Sequence, residues 1–305
     1  MNSLQALGAL KLFESNIIEF KNVIEIVSLC TKKKSVVRLV IPKNKLKTVK
    51  HVLTKYFNEY RHSLAPYALV DVFFGSATAN DGTVDRFQDR VAIDKYPEGD
   101  RVIFLGTKSG VEEAVELESG ECDNLEASSI YGYPSCCALA YDKIEKSGSW
   151  IEACLSNVTG TVHLPAIANR FSTLISPELG VHLDYFPCLI DCKETLSINE
   201  INKQCLALSP LADFIQPVNE HLNATIIWWK SCMWYLKGKP IHDTQIFSNP
   251  LKPVIFPASD ASHTTIEGVA CQEKKIKILV DGKWIADDDK NPPRIISFEE
   301  SMTNG

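Results

Sequence analysis

Apolar positions recur along the chain with two different periods, and the change from one to the other divides it. Between residues 5 and 30 they fall at Leu10, Leu12, Ile17, Ile18, Val23 and Ile26, which predicts one or two helices. The run from Ser35 to Ile41 is β-branched and predicts a strand that Pro42 ends. Helical spacing returns between Lys43 and Arg61, at Leu46, Val49, Leu53, Tyr56 and Phe57. Ala68 to Phe74 and Arg101 to Leu105 predict two further strands. Ser76 to Asp100 between them, rich in Asp, Gly and Thr, reads as a long loop. A short helix from Val111 to Leu117 follows. The order of strands and helices describes a small α/β unit over about residues 1–125.

From Pro134 to about Lys237 the pattern reads as mostly helical, with starts marked by Pro134, Pro165, Pro187 and Pro210. Proline suits the first helical position, where an N–H would have no partner. Trp228, Trp229 and Trp234 fall in this stretch beside Ile226, Ile227 and Met233, and read as helical core. From Ile241 onward short β-like runs take over, at 253–256, 266–270 and 275–280, and Asp281-Gly282 signals a tight turn into Trp284-Ile285. Residues 287–305 read as a loosely held end. The fold class is therefore α/β (α+β). The expected organisation is an α/β unit over 1–125, a helical cysteine-bearing region over 126–240, a β-rich part over 241–290 and a flexible tail over 291–305.

Composition narrows the function. With 45% hydrophobic and 23% charged residues in 305, the chain has the mixture of a globular protein with a sizeable core. Acidic residues outnumber basic ones, 38 to 32, which gives no general attraction to nucleic acid. The basic group Lys32-Lys33-Lys34 reads as a solvated face next to a turn. No run approaches the roughly 18 apolar residues of a membrane span, and the first residues lack the basic start and cleavage site of a secretory signal. The expectation is a cytoplasmic protein. Its ten cysteines then point to metal, redox or nucleophilic chemistry rather than a disulfide framework.

Two cysteine groups stand out. In Tyr131-Gly132-Tyr133-Pro134-Ser135-Cys136-Cys137, Pro134 predicts a helix running to about Lys146, with both thiols in its first turn. Free N–H groups and the helix dipole there stabilise a thiolate. Cys137 shares a stripe with Ala140, Tyr141 and Ile144 and faces the core, whereas Cys136 lies off that stripe. In Phe186-Pro187-Cys188-Leu189-Ile190-Asp191-Cys192, Pro187 predicts a second helix running to about Leu208. Spacing of four would put Cys188 and Cys192 on one face with the polar Thr195, Asn199 and Asn202. The core face would be Ile190, Ile198, Ile201, Cys205 and Leu208.

Two helix starts bearing thiols can converge on one centre. Cys136, Cys137, Cys188 and Cys192 are the candidate metal ligands, for an iron–sulfur cluster or for zinc. Cys136 is also the candidate nucleophile. Arg170 can hold a substrate carboxylate, and Asp191 can serve as a base or as a helix-start charge. Tyr131 and Tyr133 flank the first group and can donate hydrogen bonds into the site. No Gly-x-Ser-x-Gly elbow, Gly-x-x-x-x-Gly-Lys loop or dinucleotide fingerprint occurs.

The pairing of Gly-Tyr-Pro-x-Cys-Cys with a Pro-Cys-x-x-x-Cys block some fifty residues later resembles a prokaryotic family of cysteine-motif proteins, over about residues 105–210. In that family a histidine usually precedes the second block. Here Phe186 stands in its place, with Tyr185 before it, and His182 upstream is the residue that can substitute. The resemblance implies a site, with Tyr133 and His182 beside it, rather than a reaction. Three functions follow as expectations: a metal- or iron–sulfur-dependent enzyme acting on a small molecule, a metal-free cysteine nucleophile or redox enzyme, and a structural zinc or binding protein.

Overall fold

The computed structural model describes residues 1–72, 87–119, 124–147, 153–169, 187–207, 210–230, 232–238, 245–252, 265–272, 275–285 and 293–299. Helices α1 (Ser3–Glu14) and α2 (Phe20–Cys30) lead into β1 (Val36–Ile41), α3 (Leu46–Tyr56), β2 (Arg61–Val72), β3 (Phe87–Ala92), β4 (Asp100–Gly106) and α4 (Lys108–Ser119). The strands form one antiparallel sheet in the order β1-β4-β2-β3. Side chains alternate across it, as the two-residue period of a strand requires. Val37, Leu39, Ile41, Ile103 and Leu105 pack under α1 to α3, while Val36, Val102 and Phe104 pack under Val111, Ala114 and Leu117 of α4. With both faces covered, β4 is buried almost throughout. The long loop expected over 76–100 contains a strand, β3, whose Asp and Arg residues hide its period.

The middle of the chain holds α5 (Asn124–Ile130), α6 (Ser135–Ser147), β5 (Thr161–Pro165), α7 (Lys193–Leu206) and α8 (Ile215–Leu222). It then turns to strands: β6 (Ala224–Trp229), β7 (Cys232–Lys237), β8 (Gln245–Leu251), β9 (Ile266–Gln272), β10 (Lys275–Val280), β11 (Lys283–Ile285) and β12 (Arg294–Glu299). Here the structure corrects three expectations. Trp228, Trp229 and Trp234 lie in the β6–β7 hairpin, not in a helix, with Trp229 opposite Cys232 and Lys230 at φ 50° in the turn. All six residues of β6 are buried, and a fully buried strand shows the same unbroken apolar run as a buried helix. The tail expected to be loose contains β12, which lies between β5 and β6, parallel to the first and antiparallel to the second. Finally, Pro187 does not open a helix: α7 begins at Lys193, six residues later. The strand expected at 253–256 lies outside the described residues.

The last seven strands and β5 make two sheets, β5-β12-β6-β7 and β11-β10-β9-β8. They pack face to face through Ile227, Trp234 and Ile295 on one side and Val269, Ile276 and Ile278 on the other. The Asp281-Gly282 turn is as expected, with both residues at positive φ, 51° and 69°. The outer face of the first of these sheets, with Trp228, Met233, Ile296 and Phe298, packs on Cys154, Leu155, Ala168 and Ile190. That face carries the second cysteine segment. The first core reaches from α1 to α8, taking in Leu206, Leu211, Val218 and Leu222.

Candidate metal centre

The motif Tyr131-Gly132-Tyr133-Pro134 is a device for ending one helix and starting the next. Gly132 sits at φ 67°, the left-handed conformation in which glycine alone is unstrained. The Gly132 N–H donates to the Ser129 carbonyl (3.2 Å) and the Tyr133 N–H to the Ser128 carbonyl (2.8 Å). These two bonds form a Schellman cap on α5. A side chain at Gly132 would meet the Lys33 carbonyl oxygen at 2.6 Å, so the position is closed on two grounds. Pro134 cannot extend α5, and its carbonyl accepts the first bonds of α6, from Cys137 (2.9 Å) and Ala138 (3.0 Å). Cys136 and Cys137 are thereby fixed in the first turn of α6, as their sequence predicts.

Buried polar groups hold this corner from behind. The Tyr131 hydroxyl donates to Glu118 at 2.6 Å, and Tyr67 donates to the same carboxylate. The Tyr133 ring lies under the Lys34 ammonium, 4.3 Å from its centre. Lys34 is itself buried against Glu25, so this lysine does not belong to a solvated face. Lys32 and Lys33 of the group stay exposed.

The second segment is a turn followed by a helix. Cys192 is the residue before α7, with its N–H on the Leu189 carbonyl (3.1 Å) and its carbonyl accepting from Leu196 (2.9 Å). The Ile190 N–H donates to the Cys154 carbonyl (3.0 Å), and the Ile190 side chain enters the core beneath the outer sheet face. Cys188 thus lies in the turn, and it meets Cys192 through the turn rather than along a helix face. The polarity of α7 is also the reverse of that expected. Thr195, Asn199 and Asn202 face inward with Leu206, while Ile198 and Cys205 are only half-buried. Two of the inward side chains are hydrogen-bonded into the interior: Asn199 donates to the Ile167 carbonyl (3.1 Å), and Asn202 accepts from Ser28 (2.7 Å). A row of polar residues therefore runs from Cys192 into the molecule.

The four thiols meet. Cys136 Sγ lies 3.9 Å from Cys137 Sγ and 3.7 Å from Cys192 Sγ, and Cys137 Sγ is 3.7 Å from Cys192 Sγ. With Cys188, all four sulfurs fall within 4.8 Å of one another, an arrangement that can hold a metal ion. Cys137 and Cys192 are buried, Cys188 is half-buried and Cys136 is exposed. The Cys188 N–H donates to Cys137 Sγ at 3.4 Å, and the Thr195 hydroxyl lies within hydrogen-bond reach of the same sulfur at 3.6 Å. Thr195, seen in the sequence only as part of a polar face, is the residue that reasoning missed; its spacing of three from Cys192 is the signal.

The shared position splits the thiols. A hydrogen bond from Cys137, with support from Thr195, pulls the Cys192 thiol down to about 4 against the effect of burial. Donating that bond and losing solvent push the Cys137 thiol up. Burial, and then the Cys192 sulfur, push Cys188 up to about 12. Without a cation, the Cys192 thiolate is held by a hydrogen bond from Cys137. A divalent cation would displace those protons and let every sulfur be an anion, aided by the positive ends of α6 and α7.

Of the other candidates, Asp191 turns its carboxylate to the exposed side, where it accepts from Asn157 Nδ2 at 3.1 Å. Tyr133 joins Lys33, Ser128, Ser135, Glu194 and Ile198 in lining a cleft of about 560 Å³ beside the start of α6. Arg170 and His182 lie outside the described residues. Among the described residues, no helix is long and apolar enough to cross a membrane. No protein-family model, curated protein or solved structure matches the chain.

Proposed function

We propose that the chain binds one zinc-type ion through the thiolates of Cys136, Cys137, Cys188 and Cys192. The observation that carries this is the spacing of the sulfurs. Four ligands at the corners of a tetrahedron with bonds of about 2.3 Å lie roughly 3.8 Å apart. Cys136, Cys137 and Cys192 are separated by 3.7–3.9 Å. A four-iron cluster takes one thiolate on each iron and sets the sulfurs apart by the width of the cluster, so mutual contact favours a single ion. The N–H of Cys188 and the hydroxyl of Thr195 supply the outer hydrogen bonds that orient such ligands. With four thiolates the ion is enclosed, and it ties two helix starts more than fifty residues apart in the chain.

A catalytic centre is the second reading. It is favoured by the exposure of Cys136 and by the cleft at the start of α6, lined by the adjacent Ser135, whose volume suits a small molecule. An ion that exchanges Cys136 for a substrate atom would act as a Lewis acid. In either reading the resemblance to prokaryotic cysteine-motif proteins lends the site, not a reaction.

Metal analysis of protein purified without oxygen tests the reading. We expect one zinc per chain, and a cobalt-substituted form with the intense sulfur-to-metal absorption of a tetrahedral tetrathiolate. Iron with acid-labile sulfide would replace the single ion by a cluster, and absence of any metal would overturn both. A cobalt spectrum that shifts when small thiols or carboxylates are added would favour the catalytic reading.

A further inference from the structure

The four thiols differ in exposure, and this gives the centre a direction of attack. Cys136 faces solvent, while Cys137 and Cys192 are buried behind it. Its nearest neighbours are Cys192 at 3.7 Å and Cys137 at 3.9 Å, with the Cys188 sulfur also within 4.8 Å. Cys137 is adjacent in sequence and both are in the first turn of a helix. A bond between their sulfurs would close a small ring through a peptide held helical, so Cys137 is a poor partner despite its nearness. Cys192 comes from a different segment, and its sulfur approaches without that restriction.

We infer that the centre is opened by peroxide, with Cys136 as the modified sulfur and Cys192 as the one that resolves it. The Cys136 thiolate attacks one oxygen of hydrogen peroxide; a sulfur–oxygen bond forms, the oxygen–oxygen bond breaks, and hydroxide leaves as water after taking a proton. The Cys192 thiolate then attacks the sulfenic sulfur of Cys136. The sulfur–sulfur bond forms, the sulfur–oxygen bond breaks, and the departing hydroxide takes a proton to leave as a second water. Two thiolates give up two electrons and one peroxide becomes two waters. Only Cys137 and Cys188 then remain as thiolates, too few to keep a zinc-type ion bound. Ion release rests on the proposed metal site; the pairing of Cys136 with Cys192 rests on exposure and distance alone.

The test is titration of the purified protein with hydrogen peroxide in the absence of air. Released metal is read with a chromogenic chelator, and disulfides are located by tandem mass spectrometry with fragmentation between adjacent cysteines. We expect one metal released per disulfide formed and a single cross-link, Cys136 to Cys192. Cys188→Ser should still form that cross-link, and Cys136→Ser should form none among the three remaining thiols at the same dose. A cross-link joining other cysteines, or thiols of the centre no faster than Cys205, would overturn the inference. Protein that holds no metal but gives the Cys136–Cys192 bond would overturn the metal reading and leave this pairing standing.

Discussion

Lys34 is a charged side chain that the molecule has withdrawn from water, with Glu25 as its counter-ion and the Tyr133 ring beneath it. Removing one member of a buried pair leaves the other uncompensated, which costs about 3–5 kcal/mol. Lys34→Met should therefore lower the unfolding free energy by that amount, and urea titration measures it; a change below about 1 kcal/mol would mean that Glu25 finds water instead. Cys30 sets a limit at the alkaline end. Burial is the largest effect on its thiol and pushes it from 9.0 up to about 12. The folded state favours the protonated thiol, so its contribution is complete below about pH 9 and is lost as the pH rises toward 12. Melting temperature should fall across that window, and less steeply in Cys30→Ala. At this scale the sequence makes the thiols of Cys136 and Cys137 legible, because a proline fixes the phase of the helix that bears them. It conceals Lys34, since three successive lysines look alike until one folds back against an acid of the preceding helix.

The α5–α6 corner shows how an element boundary can serve a site. Gly132→Ala would add a methyl group against the Lys33 carbonyl at 2.6 Å and force an alanine into positive φ. Strain of about 1–3 kcal/mol follows, and relaxation would rotate the first turn of α6. Metal affinity, measured by competition with a chromogenic chelator, should fall about tenfold or more while helix content by circular dichroism stays unchanged. Unaltered affinity would show that the α6 thiols are held by something other than this cap. The helices of the N-terminal unit and the hairpin at Asp281-Gly282 are readable from period and turn chemistry. Strands β6 and β12 are not. The first is buried on both faces and loses its alternation, and the second acquires its place only through partners remote in sequence. The reversed α7 has the same origin. Its inward face is polar because Ser28 and the Ile167 carbonyl wait there for Asn202 and Asn199, and no local pattern announces such partners.

For the molecule as a whole, the proposed metal centre would be a tie added to a structure that already has cores. The largest of them runs from α1 to α8 without involving any of the four ligands. Chelation should therefore lower the melting temperature and not abolish the folded state, in contrast with small zinc domains that exist only with metal. Hydrogen exchange should speed up at residues 134–138 and 187–196 and stay slow in β4 and β6; exchange rising throughout would mean that the tie is essential. The same reasoning explains why the site was easier to anticipate than its surroundings: cysteines advertise their chemistry, whereas the sheets around them depend on long-range pairing.

That pairing has a consequence during synthesis. Strand β5 at Thr161–Pro165 must wait for β12, about 130 residues later, before its parallel partner exists. At about 5–20 residues per second, this leaves an interval on the order of ten seconds. For the later part of that time the edges of β5 and β6 and the apolar face under Ile190 stand open, while the thiols of both segments have already been made. An ion captured then could hold α6 and the 187–192 turn together before the sheet beneath them is complete, making the nascent chain sensitive to the supply of metal at the moment it is made.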